Sequence, residues 1–345
     1  MRCLGIDIGG SSVKVALLDM PNGQRCAHAR SDSYSQPDIE ALTRAVATAV
    51  GSCMTSTLPA DEPIGRVGVC LPGLYDASRG CLTRATNLPA LEGVDLDAFL
   101  RAALRIGFRQ TPAGLKDRPM TSGSGETVGP MALTITTDTQ AGALDIVSAE
   151  QLIGRVLCLS LGTGVGASVL DIPAESGALP TPMWVSGATP GHIGQLDVGL
   201  DETPPADAGA ARGTLESYIG LAALRRSGAV RDIQALMEPG AGAGAAAWCA
   251  DKAHPALPQS LEDPMRALAR ALRICHAIYR PDHIRLAGGV GVALAPWLGI
   301  LRARIENGLT PLARENWSLG IAEDGFCAAR GAARGAARGG ARGAT

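Results

Sequence analysis

Two short segments of this chain carry the residue types that handle phosphate. Asp7-Ile8-Gly9-Gly10-Ser11-Ser12 sets a carboxylate at the end of an apolar run and follows it with paired glycines and paired hydroxyls. Glycine lets a turn approach a ligand closely, and exposed backbone N–H groups and hydroxyls donate hydrogen bonds to phosphate oxygens. Asp7 would then stand near a nucleotide-bound Mg2+, an ion that takes one or two carboxylates and completes its shell with phosphate and water. Leu161-Gly162-Thr163-Gly164-Val165-Gly166 is a second such turn. Taken alone, each reads equally as a structural hairpin. Two strand-turn-strand cradles facing each other across a cleft are a known solution for ATP, and in that setting Gly288 and Gly289, after a third strand, would pack beneath adenine and ribose.

The elements that must position these turns are legible from periodicity. Cys3 to Ile8 reads as a strand, and Val13, Val15 and Leu17 alternate as its hairpin partner. Ile39, Leu42, Val46 and Val50 fall at helical spacing, Val67 to Leu71 reads as a buried strand ending at Pro72-Gly73, and a helix is expected near 95–106. Residues 131–136 alternate into Thr137-Asp138, and 140–149 look helical. The second half repeats the opening: Val156 to Leu161 and Val165 to Leu170 form a glycine-turned hairpin, followed later by an amphipathic helix over 264–279 and a strand over His283 to Ala287. This ordering predicts two α/β lobes, 1–136 and 137–329, with a Gly-, Pro-, Ser- and Thr-rich surface insertion at 107–130. The last residues, 330–345, repeat Ala-Ala-Arg-Gly; a glycine in every repeat costs a helix about 1 kcal/mol relative to alanine, which predicts a frayed, disordered tail.

Composition narrows the partners. At 345 residues, the chain suits two domains better than one core. With 46% hydrophobic and 19% charged residues it has the material for packed interiors. Lys plus Arg (31) nearly balances Asp plus Glu (33), so no global field draws it to nucleic acid or to an anionic membrane, and a small ligand fits better. A nucleic-acid contact is left only to the Arg-rich tail. Nine scattered cysteines form no CxxC pair or dense framework, and the N-terminus shows no basic segment followed by a long apolar core. Reduced thiols and a cytoplasmic location are expected.

In order along the chain, Asp7-Ile8-Gly9-Gly10-Ser11-Ser12-Val13-Lys14, Leu71-Pro72-Gly73, Asn87-Leu88-Pro89, Thr137-Asp138, the Gly162-Thr163-Gly164 turn, Gly213-Thr214-Leu215-Glu216 and Ala287-Gly288-Gly289-Val290 resemble the motifs of the ROK family. That family comprises sugar kinases such as glucokinase and N-acetylmannosamine kinase, together with sugar-responsive repressors. The resemblance implies a two-lobed actin/hexokinase-like (ribonuclease H-like) α/β fold with an interlobe cleft, a homodimer, and transfer of the ATP γ-phosphate to a monosaccharide hydroxyl. It places Gly9, Gly10, Ser11, Ser12, Lys14, Gly162, Thr163, Gly164, Gly288 and Gly289 around the nucleotide, and Asp7 near Mg2+. Asp138 falls where the family has its catalytic aspartate, a carboxylate able to accept the proton of the attacking hydroxyl. It would also serve as a helix N-cap. Gly73, Asn87 and Glu216 are the sugar contacts carried over.

The acceptor side departs from the family pattern. The family's zinc site, three cysteines and a histidine, has no counterpart: the corresponding stretch reads Gly191-His192-Ile193-Gly194-Gln195, and no cysteine lies between Asp197 and Glu216. Zinc is expected to be absent, with the loop around 203–212 stabilised otherwise. His192 stands in place of a sugar-binding glutamate, Gln195 in place of the zinc histidine, and Thr137 in place of an asparagine. Either His192 faces the sugar and selects something other than glucose, or it packs in a loop. Two further alternatives stand beside the ATP-dependent kinase: a protein that senses sugar without turning it over, and a kinase using polyphosphate.

Overall fold

In a computed structural model, residues 1–20, 22–56, 64–110, 132–175, 180–182, 192–207, 209–232 and 255–339 are described. Most of the predicted insertion, and the last six residues of the tail, lie outside them. The chain divides into two compact units: Met1–Asp145 joined by the residues from Ala328 onward, and Ile146–Cys327. The division falls inside a helix beyond Asp138 rather than at 136/137, so Thr137 and Asp138 belong to the first unit.

The first unit is built on a five-stranded sheet of order β3-β2-β1-β4-β7. Its strands are β1 (Arg2–Ile8), β2 (Val13–Asp19), β3 (Gln24–Arg30), β4 (Ile64–Leu71) and β7 (Leu133–Thr137). β1, β2 and β3 run antiparallel, while β4 and β7 join in parallel. A separate small hairpin pairs β5 (Leu74–Asp76) with β6 (Cys81–Arg84). Strand alternation sorts the two faces of the sheet. Leu4, Ile6, Ile8, Val67, Val69 and Leu71 point into a core shared with α1 (Ile39–Thr55) and α2 (Leu96–Arg109). Both helices start on aspartate caps, Asp38 accepting from the Ala41 N–H and Asp95 from the Ala98 N–H.

The opposite face of the sheet corrects the expectation for the tail. Cys327–Gly339 is a helix, the last of the chain, and its alanines pack on the strands: Ala329, Ala332, Ala333 and Ala336 are buried. The glycines that argued against a helix are matched by glycines beneath it. A Cβ on Gly5 or Gly68 would come within 1.8–1.9 Å of the Ala329 or Ala332 carbonyl oxygen, so the helix lies directly on sheet backbone. A second stripe, Arg330 and Arg334, grips buried Asp145 of α3 (Asp138–Glu150) at 2.7 and 2.9 Å. Tertiary packing overrides the local glycine penalty.

The second unit repeats the strand plan with the order β10-β9-β8-β11-β12. These are β8 (Gly154–Leu161), β9 (Val165–Ile172), β10 (Thr181–Pro182), β11 (His283–Ala287) and β12 (Ser318–Ile321), with β8/β9 antiparallel and β11 parallel to both β8 and β12. Its core gathers apolar residues from β8, β9 and β11 with α4 (Leu215–Ile219), α5 (Leu221–Ser227), α6 (Glu262–Tyr279), α7 (Gly288–Ala293) and α8 (Leu298–Glu306) around fully buried Trp297. The remaining helices are α9 (Pro311–Arg314) and α10, the Cys327–Gly339 helix that returns to the first unit. No helix among the described residues is long and apolar enough to cross a membrane.

Candidate active site

Register brings one residue from each strand of the first sheet into a single polar row. Arg30 of β3 lies opposite Lys14 of β2, Lys14 opposite Asp7 of β1, Asp7 opposite Cys70 of β4, and Cys70 opposite Thr136 of β7. Directly opposed residues share a face of the sheet. Asp7 is buried, and Lys14 Nζ sits 3.6 Å from its Oδ2. Burial pushes the Asp7 carboxyl above the usual carboxylate range, against the opposing pull of the Lys14 ammonium.

Beside this row, the Gly9–Ser12 turn has three of its carbonyls engaged and three of its N–H groups left over. The Ser12 carbonyl accepts from the Gly9 N–H at 3.1 Å, the Gly9 carbonyl from the Tyr34 hydroxyl at 2.6 Å, and the Ser11 carbonyl from the Tyr34 N–H at 2.9 Å. Ser31 exchanges hydrogen bonds with the Val13 backbone on both its N–H and its Oγ. The N–H groups of Gly10, Ser11 and Ser12 donate to no described residue. A turn with satisfied carbonyls and unused N–H groups is a nest for an anion. Tyr34 and Ser31, which brace it from the segment after β3, were not found from sequence because no spacing rule links them to the turn.

Asp138 opens α3 where β7 ends. Thr137 Oγ1 accepts from the Gln140 N–H at 3.3 Å, so the threonine does the capping that Asp138 was a candidate for. The Asp138 carboxylate takes the adjacent Thr139 N–H at 2.9 Å. Burial first, and then the negative charge of Asp7, push its pKa up to about 6, while backbone donors and Lys14 pull the other way. The structure thus brings Asp7, Gly9, Gly10, Ser11, Ser12, Lys14, Thr137 and Asp138 into one neighbourhood. Gly73 follows β4 with φ of +122°, and a Cβ there would meet the Arg84 carbonyl oxygen at 2.5 Å, so the bend requires glycine. Asn87 lies in the turn after β6, half-buried, its carboxamide bonded to no described residue.

In the second unit, Gly162-Thr163-Gly164 links β8 to β9. The Gly162 N–H reaches the Gly164 carbonyl at 3.0 Å, and the Gly162 carbonyl accepts from the Leu221 N–H at 3.0 Å. The N–H groups of Thr163 and Gly164 donate to no described residue. Glu216, half-buried on α4, closes the turn: its Oε2 accepts the Val165 N–H at 2.9 Å, and a Cβ on Gly164 would collide with that oxygen at 2.7 Å. Burial raises the Glu216 pKa, countered by the Val165 donor. Gly288, with φ of +78°, fits against the end of β8, where a Cβ would stand 2.3 Å from the Leu161 carbonyl oxygen; Gly289 faces open space.

His192 and Gln195 occupy one short 3-10 turn, both exposed. The His192 ring bonds to no described residue, whereas Gln195 Nε2 donates to Asp207 at 3.2 Å. Asp207 also accepts from Thr214 Oγ1 at 2.9 Å and from the Gly209 and Ala211 N–H groups at 2.8 and 3.0 Å. This one carboxylate ties the 192–195 turn to the 205–214 loop and the start of α4. Despite partial desolvation, those donors hold its pKa below the usual carboxylate range.

No protein-family model and no curated protein sequence matches the chain. Solved structures do. A ROK family glucokinase from Streptomyces griseus, in complex with glucose and AMPPNP, is similar with a TM-score of 0.67 at 19% identity, over 98% of this chain and 100% of that one. A ROK hexokinase from Thermus thermophilus is similar with a TM-score of 0.61 at 19% identity, over 99% and 100%. A ROK family transcriptional regulator, a homologue of the Escherichia coli MLC protein, is similar at 0.63 and 14% identity, over 97% of this chain and 78% of that one. The chain therefore has the two-lobed actin/hexokinase-like α/β fold that these kinases and regulators share.

Proposed function

We propose that this chain is a ROK family kinase that moves the γ-phosphate of ATP to a hydroxyl of a monosaccharide, with Asp138 as the general base. The observation that carries this reading is the state of Asp138: a carboxyl held at about 6 at the head of α3, under the influence of buried Asp7 and Lys14. A base near that value is ionised at neutral pH and still basic enough to accept a proton as a hydroxyl oxygen forms its bond to phosphorus. As that bond forms, the bond from the γ-phosphorus to the bridging oxygen breaks, and ADP leaves with the electron pair. The N–H groups of Gly10, Ser11 and Ser12, which donate to no described residue, suit the negative charge of the donor.

Asp7 also fits a Mg2+ that travels with the nucleotide. A carboxylate raised by burial is relieved by a cation. Such an ion takes its other ligands from phosphate and water. When bound, the ion would neutralise phosphate charge.

The acceptor side supports a second reading, a sugar sensor without turnover. Gln195 is turned onto Asp207 of its own loop, and one protein of the same fold is a transcriptional regulator. Screening the purified chain with ATP against aldoses, ketoses, N-acetyl sugars and sugar acids decides between them, with Asp138→Asn as the control. Turnover of one class, abolished by Asp138→Asn, is the expected result. Sugar binding without turnover favours the sensor, and activity that survives Asp138→Asn refutes the mechanism.

A further inference from the structure

The polar row on the first sheet ends at a residue that no motif singles out. Arg30 is the last residue of β3, opposite Lys14, and its Nε donates to Ser12 Oγ at 3.0 Å. That bond turns the guanidinium toward the Gly9–Ser12 turn. Its two terminal NH2 groups bond to no described residue. Lys14 is engaged with Asp7 at 3.6 Å, so its charge is already matched within the row. Arg30 also feels the charge of buried Asp7, but its terminal NH2 groups stay open beside three N–H groups that have no acceptor among the described residues.

We propose that Arg30 is a donor-phosphate ligand: its free guanidinium edge takes two oxygens of the donor's polyphosphate chain while the Gly10–Ser12 N–H groups hold the adjoining oxygens. Planar, paired N–H donors match a phosphate edge in a way an ammonium cannot. The Ser12 hydroxyl fixes the plane of the guanidinium through Nε, which leaves that edge preoriented. Burial of Asp7 and its pairing with Lys14 leave no other mobile cation in the row to do this work. The inference deepens the kinase reading and rests on it for the identity of the donor, but the ligand chemistry, a linear chain of phosphates, can be tested apart from any sugar.

The test is calorimetric titration of the full chain with sodium tripolyphosphate and, separately, with ATP plus Mg2+, comparing the wild type with Arg30→Gln, Arg30→Lys and Ser12→Ala. Arg30→Gln is expected to weaken both ligands about tenfold or more, the scale of a lost charge-assisted pair. Arg30→Lys should recover only part of this loss, and Ser12→Ala should weaken binding less than Arg30→Gln. In a turnover assay the same Arg30→Gln change should raise the KM for ATP and leave the KM for the sugar unaltered, a split that general loss of structure does not produce. Wild-type binding with Arg30→Gln unchanged would overturn the role of Arg30 and leave the kinase reading standing. A wild-type chain that binds neither ligand overturns both.

Discussion

At the scale of single residues, the chemistry turns on how Asp138 is held. Taking its carboxyl out of water and setting it beside Asp7 disfavour the charged form, which moves the pKa from 3.8 up to about 6. The base works only when ionised, so kcat/KM should rise with pH through an inflection near 6 and level off above it. The same shift has a sign for stability. The folded pKa lies above the unfolded one, so the ionised form in the native state is a penalty, fully present above about pH 6 and absent below the unfolded value. Asp138→Asn should therefore lower kcat by on the order of a thousandfold while raising the melting temperature at pH 7.5, and the gain should vanish near pH 4. A variant less stable at pH 7.5 would count against the burial argument. The strand ends at Asp7 and at Thr137-Asp138 and both glycine turns were legible in the sequence because a strand end followed by a glycine pair, or by a polar corner into a helix, is a local pattern, whereas the catalytic role of Asp138 was implied only by the family resemblance. Arg30 and Tyr34 were not. Their roles depend on cross-strand register and on a loop doubling back to Gly9, and neither leaves a spacing signal.

Among elements, the last helix shows how local propensity can point the wrong way. In α10, alanines face the sheet, Gly331 faces α3, and Arg330 and Arg334 reach Asp145, three stripes made by one four-residue repeat. The glycine cost that predicted a frayed tail is real, about 1 kcal/mol per glycine, but Gly331 permits an approach that alanine would block, while a Cβ on Gly335 would meet nothing nearer than 3.9 Å. At Gly331 a Cβ would stand 1.7 Å from the Ala141 carbonyl oxygen. Gly331→Ala therefore sets the two effects against each other: propensity gains about 1 kcal/mol, and the forced separation of α10 from α3 costs about 1–3 kcal/mol, so a lower denaturant midpoint is expected. Asp145 gives a second test. Its carboxylate is almost wholly buried, so Arg330→Ala should cost about 3 kcal/mol by leaving it half-paired, and Asp145→Leu with Arg330→Met should recover much of the loss. Because α3 also presents Asp138, these variants should reduce kcat more than they alter the KM for ATP.

Across the whole molecule, the two sheets follow one plan, with β3-β2-β1-β4-β7 matched strand for strand by β10-β9-β8-β11-β12. The repeat was visible in the sequence as two glycine-turned hairpins; the closing of the chain was not, because α10 returns to strands more than 250 residues earlier and no local pattern records so distant a pairing. The second unit is one continuous stretch, Ile146–Cys327, whereas the first is assembled from both ends of the chain. Gly5 and Gly68 have no side chains to fill the space over β1 and β4, and among the described residues Asp145 takes its cations from α10, so the first unit cannot complete its packing until the final residues arrive. A chain ending at Cys327 should then fold unequally. Hydrogen exchange is expected to show lost protection in peptides covering β1, β4 and α3, with β8, β9 and β11 protected as in the full chain. Adding a peptide of residues 328–345 in trans should restore protection to β1 and β4, and should do so less well when the peptide carries Arg330→Ala. Full protection of β1 and β4 in the shortened chain would show instead that the sheet is stable without its final helix.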